Sequence, residues 1–355
     1  MGYETLSAGS PPLLHHQRPP ATDYDVALLD LDGVVYTGQG AVPQAVAALA
    51  QARKAGQRLA FVTNNASRSP SAVAAHLTRL GVPATDADVV TSAQAAASLI
   101  AERVPPGSAV LVAGAMGLRL ALRARGLRPV SVAAERPLAV VQGYAPDMSY
   151  GLLAEAALAV RAGALFVGAN ADLTLPSPRG LQPGNGSMLQ VIATSTGVQP
   201  IVAGKPEPPL HAEAVARTGA RRPLVVGDRL DTDIEGAVRG DADSMLVLTG
   251  VSTPAELVLA PPSQRPTYVS SDLRGLLEPQ PAVGVRRGSD PVEIGNAVEC
   301  QGWTARRDTP DGQIELTGDG EAIDGLRALC ALAWSGPQIT AEQADTALKM
   351  LKDRL

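Results

Sequence analysis

The amino-acid sequence predicts an α/β fold in which helices cover both faces of a doubly wound, mainly parallel, Rossmann-like sheet. Two observations predict this fold. Apolar runs of strand length alternate with longer stretches of helical periodicity from residue 26 to residue 277. Several of these apolar runs end in a polar loop, and open α/β sheets place their ligand sites at that end of the strands.

The first repeats of the pattern lie between residues 26 and 90. The apolar run Val26–Leu29 predicts a strand buried on both faces, and Asp30 follows it directly. A helix is predicted for residues 43–55, where proline begins an alanine-rich stretch that a glycine ends. The next predicted strand, 58–62, leads into the polar segment Thr63-Asn64-Asn65.

The same alternation continues in the middle of the chain. Further strands are predicted at 109–113, 138–141, 164–167, 223–226 and 244–248. Further helices are predicted at 116–125, 149–162, 184–196 and 208–218. Two of the connections are polar: Gly204-Lys205-Pro206 follows a short strand predicted from Ile201, and Gly227-Asp228 follows the strand at 223–226.

These patterns divide the chain into four predicted parts. They are a disordered leader at 1–20, a core domain at 21–93 and 184–278, an inserted α/β domain at 94–183, and a C-terminal extension at 282–355. The leader has several prolines and no apolar stretch typical of a secretory signal. The extension contains predicted strands at 282–287 and 313–316 and predicted helices at 321–334 and 340–355, which is typical of a small α+β module.

Composition excludes several classes of function. A net charge of −5 and an aromatic content of 3% argue against a nucleic-acid-binding protein. No run of about 18 apolar residues is present, so no membrane span is predicted. The two cysteines, Cys300 and Cys330, have no metal or redox spacing, which suits a reducing compartment and predicts a cytoplasmic location.

The polar loops carry groups of complementary chemistry. Asp30 and Asp32 follow one predicted strand, and Asp228 and Asp233 follow another. Carboxylates held close together repel one another unless a cation lies between them, and oxygen ligands without a His or Cys cluster suit Mg²⁺. Lys205 and the Thr/Asn segment supply donors for a dianionic phosphoryl group, and an Asp can accept that group covalently.

These four segments, in this order, resemble the motifs of the haloacid-dehalogenase-like (HAD) phosphatases of subclass IIA, the NagD-like group. The segments are Asp30-Leu31-Asp32-Gly33, Thr63-Asn64-Asn65, Gly204-Lys205-Pro206 and Gly227-Asp228 with Thr232-Asp233. The stretch between Asn65 and Lys205 is long enough for an inserted α/β cap, whereas that between Asp32 and Thr63 is too short for a helical one. The resemblance implies a HAD core with an α/β cap at 94–183.

The resemblance also implies a role for each motif residue. Asp30 is the expected nucleophile and Asp32 the expected general acid and base. Mg²⁺ is expected on the Asp30 carboxylate, the Asp32 backbone carbonyl and Asp228, with Asp233 orienting its water shell. The phosphate is expected on Thr63, Asn64, Asn65 and Lys205. Members of the subclass often dimerise through the cap, so a homodimer is an expectation, although the residues themselves do not reveal the oligomeric state.

The substrate is expected to be a small phosphorylated metabolite. The loops at 170–175 and 179–186 carry Asp172 and Arg179 but few aromatic residues, which favours a small polar alcohol as the leaving group. Among subclass members, the sequence is most similar to the bacterial glycerol 3-phosphate phosphatases of phospholipid recycling, through residues 64–69, residues 183–188 and the tail. Glycerol 3-phosphate is therefore the expected substrate.

Several alternatives remain at this point. Within phosphatases they are 2-phosphoglycolate, sugar monophosphates and nucleotide monophosphates. Outside enzymes, the alternative is a non-catalytic protein that binds a phosphorylated ligand, although intact Asp30 and Asp32 argue against it. The tail has the size and mixed pattern of part of an N-acetyltransferase domain. It lacks the glycine loop for acetyl-coenzyme A, so a packing or dimer-supporting role is expected.

Overall fold

The structure, a computed structural model, describes residues 13–177, 179–285, 297–309, 312–351 and 354. The chain forms two compact units, one from Met1–Leu59 with Arg221–Leu355 and one from Ala60–Ala220. They are called the first and the second unit below. The domain limits predicted from the sequence differ from the limits of these two units, and they stay predictions.

The described residues contain short strands, most of them buried. The strands are β1 Val26–Leu29, β2 Tyr36–Thr37, β3 Gly40–Ala41, β4 Arg58–Thr63, β5 Val89–Thr91, β6 Ala109–Ala113, β7 Arg128–Val130, β8 Ala139–Gln142, β9 Leu165–Gly168, β10 Thr174–Ser177, β11 Gly180–Pro183, β12 Ile201–Val202, β13 Pro223–Gly227, β14 Asp243–Val247, β15 Tyr268–Ser270, β16 Gly284–Val285, β17 Ala297–Cys300, β18 Trp303–Arg307 and β19 Ile314–Thr317.

Helices connect most of these strands. They are α1 Pro20–Asp23, α2 Ala45–Lys54, α3 Pro70–Arg79, α4 Ser92–Ala101, α5 Met116–Ala124, α6 Tyr150–Arg161, α7 Asn185–Thr196, α8 Pro208–Thr218, α9 Glu235–Arg239, α10 Pro254–Val258, α11 Ala322–Ser335 and α12 Ala341–Leu348. A π-helical turn, Leu230–Ile234, precedes α9. Among the described residues, no helix combines the length and the apolar character needed to cross a membrane.

The first unit contains a parallel sheet in which β1, β13, β14 and β15 are neighbours in that order. Every residue of β1 is buried, as its apolar run predicts. The register pairs Leu29 with Val226, so β1 and β13 end side by side. The loops that carry Asp30 and Asp228 therefore leave the sheet at the same edge.

The C-terminal module belongs to the first unit and shares its core. Strands β16 to β19 form an antiparallel sheet, and the side chains of α11 join one hydrophobic cluster with Leu246 and Val269 of the parallel sheet. Strands β17 and β18 were not among the sequence predictions, and α12 ends at Leu348, earlier than the helix predicted for 340–355. The predicted strand at 282–287 lies partly outside the described residues.

A buried arginine fixes this module to the sheet. Arg327 on α11 is 8% exposed and donates two hydrogen bonds to the backbone carbonyl of Val269, at 2.6 and 3.1 Å. Its guanidinium also pairs with Asp324 at 2.6 Å. Gln280, which precedes the C-terminal module, accepts from Arg327 at 3.3 Å. The module is therefore held by polar as well as apolar contacts.

The second unit contains β4 paired in parallel with β5, and a separate parallel sheet in the order β12-β9-β8-β6-β7. The strands and helices expected for 109–167 appear within a residue or two of their predicted ends, while β7 is additional. Strands β10 (Thr174–Ser177) and β11 (Gly180–Pro183) pair in antiparallel orientation. Helix α7 follows β11 and begins within one residue of the helix predicted for 184–196.

The end of the predicted leader is ordered in the structure. Leu13 is buried in the core of the first unit. His16 pairs with Gln280 through two backbone hydrogen bonds of 2.8 and 3.0 Å. This differs from the disordered leader expected for 1–20 at its last residues, because those residues bind Gln280, just before the C-terminal module. Residues 1–12 lie outside the described residues.

Candidate active site

The first unit gathers three carboxylates at the ends of β1 and β13. Asp30, Asp228 and Asp233 each place one carboxylate oxygen within 4.8 Å of the other two. Asp228 and Asp233 are buried, and Asp30 is half-buried. The position of Asp30 follows from the sheet, since its backbone N–H donates to the carbonyl of Val226 at 2.8 Å.

Asp228 is held by the turn that follows β14. The backbone N–H of Val251 donates to its Oδ2 at 2.7 Å, and the N–H of Ser252 donates to its carbonyl oxygen at 3.0 Å. Gly33 and Gly250 pack against the carboxylate, and a Cβ at either position would lie 2.4 or 1.9 Å from Oδ2. Both glycines are therefore needed for this carboxylate to keep its place.

Asp233 lies on the π-helical turn Leu230–Ile234, and such turns are frequent at functional sites. The backbone N–H of Arg229 donates to its Oδ2 at 3.2 Å. Gly227 has no room for a side chain, because a Cβ there would lie 2.1 Å from the Asp233 Cβ. Asp231 is separate from the group and forms an exposed ion pair with Arg229 at 2.8 Å.

Asp32 lies in the turn after β1 and its side chain is exposed. The turn is tight, since the carbonyl of Leu31 accepts from the N–H of Val35 at 2.9 Å and the N–H of Gly33 donates to Tyr36 at 2.8 Å. The φ of Gly33 is +82°, which a side chain would disfavour. The Asp32 carboxylate is not one of the three that lie within 4.8 Å of each other.

The three carboxylates fit a hard divalent cation. Three negative charges this close repel one another unless a cation offsets them. Mg²⁺ binds oxygen at about 2.1 Å in an octahedron and keeps several waters, so it needs only a few carboxylates from the protein. Ligand oxygens within 4.8 Å of each other satisfy this geometry. The donor set contains no His or Cys, which would favour other metals.

The second unit brings together the other predicted site residues. Lys205 is buried, and its Nζ donates to the carbonyl of Val62 at the end of β4, at 3.4 Å. Its backbone N–H donates to Asn64 Oδ1 at 2.8 Å. The loop that carries Lys205 therefore lies directly against the end of the strand that carries Thr63 and Asn64.

The three residues of the Thr/Asn segment differ in their contacts. The hydroxyl oxygen of Thr63 accepts from the backbone N–H of Asn65 at 3.1 Å, which leaves its own hydrogen for another acceptor. Asn65 is exposed, and its Oδ1 accepts from the N–H and the hydroxyl of Ser67 at 2.8 and 2.7 Å. Asn64 contacts Lys205 and Asp172.

Sequence reasoning missed the residues that hold the site in place. In the first unit these are Thr249, whose hydroxyl donates to the carbonyl of Gly33, and Gly250 with its neighbours. In the second unit they are Ser92 and Asn170, which both donate to the carbonyl of Asn64. Gly250, in the turn after β14, was an available signal, because a glycine can mark close approach of the backbone.

Models of known families match three parts of the chain. A haloacid dehalogenase-like hydrolase model matches residues 27–128, and a HAD-hydrolase-like model matches residues 202–276. A GCN5-related N-acetyltransferase like domain model matches residues 300–352, within the C-terminal module.

The chain is also similar to two curated relatives and to one solved structure. The chain is 48% identical to the D-glycerol 3-phosphate phosphatase of Mycobacterium tuberculosis over 88% of its length and 87% of that protein. It is 38% identical to the acid sugar phosphatase of Staphylococcus saprophyticus, over 72% of its length and 98% of that protein.

The solved structure is the glycerol phosphate phosphatase of Mycobacterium tuberculosis in complex with magnesium. It superimposes with a TM-score of 0.83 at 44% identity, covering 95% of this chain and 99% of that one. The chain therefore belongs to the haloacid dehalogenase-like hydrolase family. The family and the fold class expected from the motifs, including the small C-terminal extension, are confirmed.

Proposed function

We propose that this chain is a Mg²⁺-dependent phosphatase that hydrolyses glycerol 3-phosphate to glycerol and phosphate. The observation that carries the proposal is the group of three carboxylates at the ends of β1 and β13. The chain that contains this group is 48% identical to a D-glycerol 3-phosphate phosphatase over most of the length of both proteins.

Asp30 is proposed as the nucleophile. Its carboxylate attacks the phosphorus, the bond from phosphorus to the glycerol oxygen breaks, and an aspartyl-phosphate forms on Asp30. Asp32 gives its proton to the departing glycerol oxygen. It then takes a proton from the water that attacks the aspartyl-phosphate, which releases phosphate and restores Asp30. The exposed position of Asp32 supports this role, since a proton shuttle exchanges protons with solvent.

The remaining motif residues are proposed to bind the ion and the phosphate. The carboxylates of Asp30 and Asp228 and the carbonyl of Asp32 would hold Mg²⁺, and Asp233 would orient its water shell. When bound, Mg²⁺ supplies positive charge that offsets the carboxylates and the phosphate. Thr63, Asn64, Asn65 and Lys205 are proposed to bind the phosphate, because hydroxyl, amide and ammonium groups all donate to it.

Sugar monophosphates are the second candidate substrates, because the 38% identical relative is an acid sugar phosphatase. 2-Phosphoglycolate and nucleotide monophosphates are further candidate substrates. A binding protein without catalysis is disfavoured, since Asp30 and Asp32 are both present. The C-terminal module is proposed to support packing, because its residues share the core of the first unit.

A cytoplasmic location is proposed from the two cysteines, which are buried free thiols. Burial raises the pKa of Cys300 to about 12, so this thiol stays protonated and unreactive. A homodimer is proposed from the family resemblance. Exposed apolar side chains in the second unit, Tyr150, Leu173 and Leu181, support it.

A phosphate-release screen tests the proposed activity. The purified chain is assayed with Mg²⁺ against glycerol 3-phosphate, 2-phosphoglycolate, sugar phosphates, a nucleotide monophosphate and pyridoxal phosphate. The highest kcat/KM is expected for glycerol 3-phosphate, with the activity lost in excess chelator. A kcat/KM for glycerol 3-phosphate at least about tenfold below that of another ester would overturn the substrate. Full activity in chelator would overturn the metal dependence.

A further inference from the structure

The parallel sheet of the second unit reverses its direction of winding between β6 and β8. Along the chain its strands are β6, β7, β8, β9 and β12, whereas their order in the sheet is β12-β9-β8-β6-β7. Strand β7 is thus added on one side of β6, and β8, β9 and β12 follow on the other side. Open parallel sheets of this order bind ligands in the crevice outside the carboxyl ends of the two strands where the direction reverses. In this sheet the crevice lies beyond Ala113 and Gln142, which pair at the ends of β6 and β8.

The chain itself occupies this crevice with residues 66–68, which directly follow the Thr/Asn segment. Gly143 follows β8, and a Cβ on it would lie 3.2 Å from the Cβ of Ala66. Gly117 is the second residue of α5, and a Cβ on it would lie 2.4 Å from the carbonyl oxygen of Ala66 and 2.8 Å from that of Arg68. An alanine in place of Gly117 would therefore displace the backbone of residues 66–68.

A hydrogen bond joins residues 66–68 to the first turn of α5. The N–H of Gly117 donates to the carbonyl of Ser67 at 3.2 Å. The first N–H groups of a helix have no partner within the helix, and Ala115 at the N-cap has no side chain that accepts from them. The Ser67 carbonyl supplies one of these partners, so the start of α5 fixes the place of Ser67.

Ser67 in turn fixes the orientation of the Asn65 side chain. Asn65 Oδ1 accepts from the backbone N–H of Ser67 at 2.8 Å and from its hydroxyl at 2.7 Å. A backbone N–H only donates, so the oxygen of the amide must be the atom that faces Ser67. The amide nitrogen and its two hydrogens are then directed away from Ser67, on an exposed side chain. The backbone of Asn65 is also held, because its N–H donates to the hydroxyl oxygen of Thr63 at 3.1 Å.

We propose that Ser67 is a positioning residue that presents the Asn65 amide to the phosphate group of the substrate, and that the first turn of α5 holds Ser67 for this role. This inference rests on the proposed function and deepens it, because Asn65 is among the residues proposed to bind phosphate. The phosphate group is common to all candidate substrates. The positioning therefore acts on the affinity for every phosphate ester alike, and on that for inorganic phosphate, rather than on the choice of leaving group.

The test measures phosphate affinity in two ways on the full chain with saturating Mg²⁺. Calorimetry gives the dissociation constant of inorganic phosphate, and steady-state kinetics give KM and kcat for glycerol 3-phosphate and 2-phosphoglycolate. Ser67→Ala removes one of the two hydrogen bonds to Asn65 Oδ1. The dissociation constant and both KM values are expected to rise by the same factor, about three- to tenfold, with kcat changed less. Ser67→Thr keeps the hydroxyl and should restore the wild-type values.

Gly117→Ala tests the support from α5, and Gly151→Ala is its matched control. Both glycines are the second residue of a helix in the second unit, and neither has a positive φ. A Cβ on Gly151 meets only Ser149 Oγ, at 3.9 Å, whereas a Cβ on Gly117 meets backbone. Gly117→Ala should weaken the binding of inorganic phosphate about tenfold or more, because the Asn65 amide loses its hydrogen bond to a charged group. Gly151→Ala should leave it unchanged, and equal affinities in the two folded variants would overturn the support from α5.

The remaining outcomes separate this inference from the proposed function. Unchanged phosphate affinity in folded Ser67→Ala, or a KM that rises for only one of the two esters, overturns the positioning role and leaves the proposed function standing. Wild-type protein that binds inorganic phosphate but hydrolyses no ester overturns the proposed function, and calorimetry of the variants still decides the positioning. Wild-type protein that binds no inorganic phosphate overturns both. If thermal unfolding shows that Gly117→Ala fails to fold, Ser67→Ala and Ser67→Thr decide the positioning by themselves.

Discussion

Replacing Gly250 by alanine should weaken Mg²⁺ binding through steric contact alone. A Cβ there lies 1.9 Å from Asp228 Oδ2, whereas ordinary contact begins at 3.4 Å. Gly250 does not have a positive φ, so alanine can adopt its backbone conformation. The Asp228 carboxylate must therefore move, which also breaks its 2.7 Å hydrogen bond from Val251. A hydrogen bond to a charged group contributes about 1.5–3 kcal/mol, which corresponds to roughly ten- to hundredfold in affinity.

The assay is a Mg²⁺ titration of phosphate release from glycerol 3-phosphate, paired with calorimetric titration of the protein with Mg²⁺. Gly250→Ala should raise the Mg²⁺ concentration for half-maximal activity about ten- to hundredfold, with most of kcat recovered at saturation. Gly40→Ala is the matched control, since a Cβ there meets nothing within 4 Å. An unchanged Mg²⁺ dependence in folded Gly250→Ala would refute the argument that Asp228 binds the ion from this position.

The sequence predicted which motif residues lie together wherever they follow adjacent predicted strands. Asp30 and Asp228 follow apolar runs that become adjacent parallel strands, so their meeting at one sheet edge follows from the alternation of strands and helices. Thr63 and Lys205 were grouped by the same expectation, although β12, the strand before Lys205, lies in a different sheet from β4. The sequence could not show that the side-chain amide of Asn64 forms hydrogen bonds with Lys205 and Asp172, because those partners lie 141 and 108 residues away.

The fold of the C-terminal module was also only partly predicted from the sequence. Its two helices were predicted from their apolar periodicity, whereas β17 and β18 were missed. In β18 the buried positions include Arg307, a residue that hydrophobic patterning assigns to the surface. Arg327 is buried because a carbonyl 58 residues earlier accepts its hydrogen bonds. Burial of a charged residue depends on such distant partners, and no local pattern contains them.

Three further substitutions test other parts of the site and of the fold. Asp30→Asn should remove nearly all phosphate release while thermal unfolding stays near that of the wild type, and retained turnover would contradict a nucleophilic Asp30. Arg327→Met should lower the free energy of unfolding by about 3–5 kcal/mol in denaturant titration, because it leaves Asp324 buried without its cation. The last concerns Glu213, a buried residue of α8 that binds Ser98 on α4, Arg125 and Arg217. Burial alone would raise the pKa of this carboxyl, but hydrogen bonds from Arg217 and Ser98 and the charge of Arg125 leave it below its usual value of 4.5. A lowered pKa stabilises the folded state above the unfolded pKa, and this contribution disappears as pH falls through the folded value. Glu213→Gln should therefore be less stable than the wild type at pH 7, and the difference should shrink as the pH falls below 4.5. A difference that stays constant from pH 7 to pH 3 in denaturant titrations would show that the ionised carboxylate does not stabilise the contact between these helices.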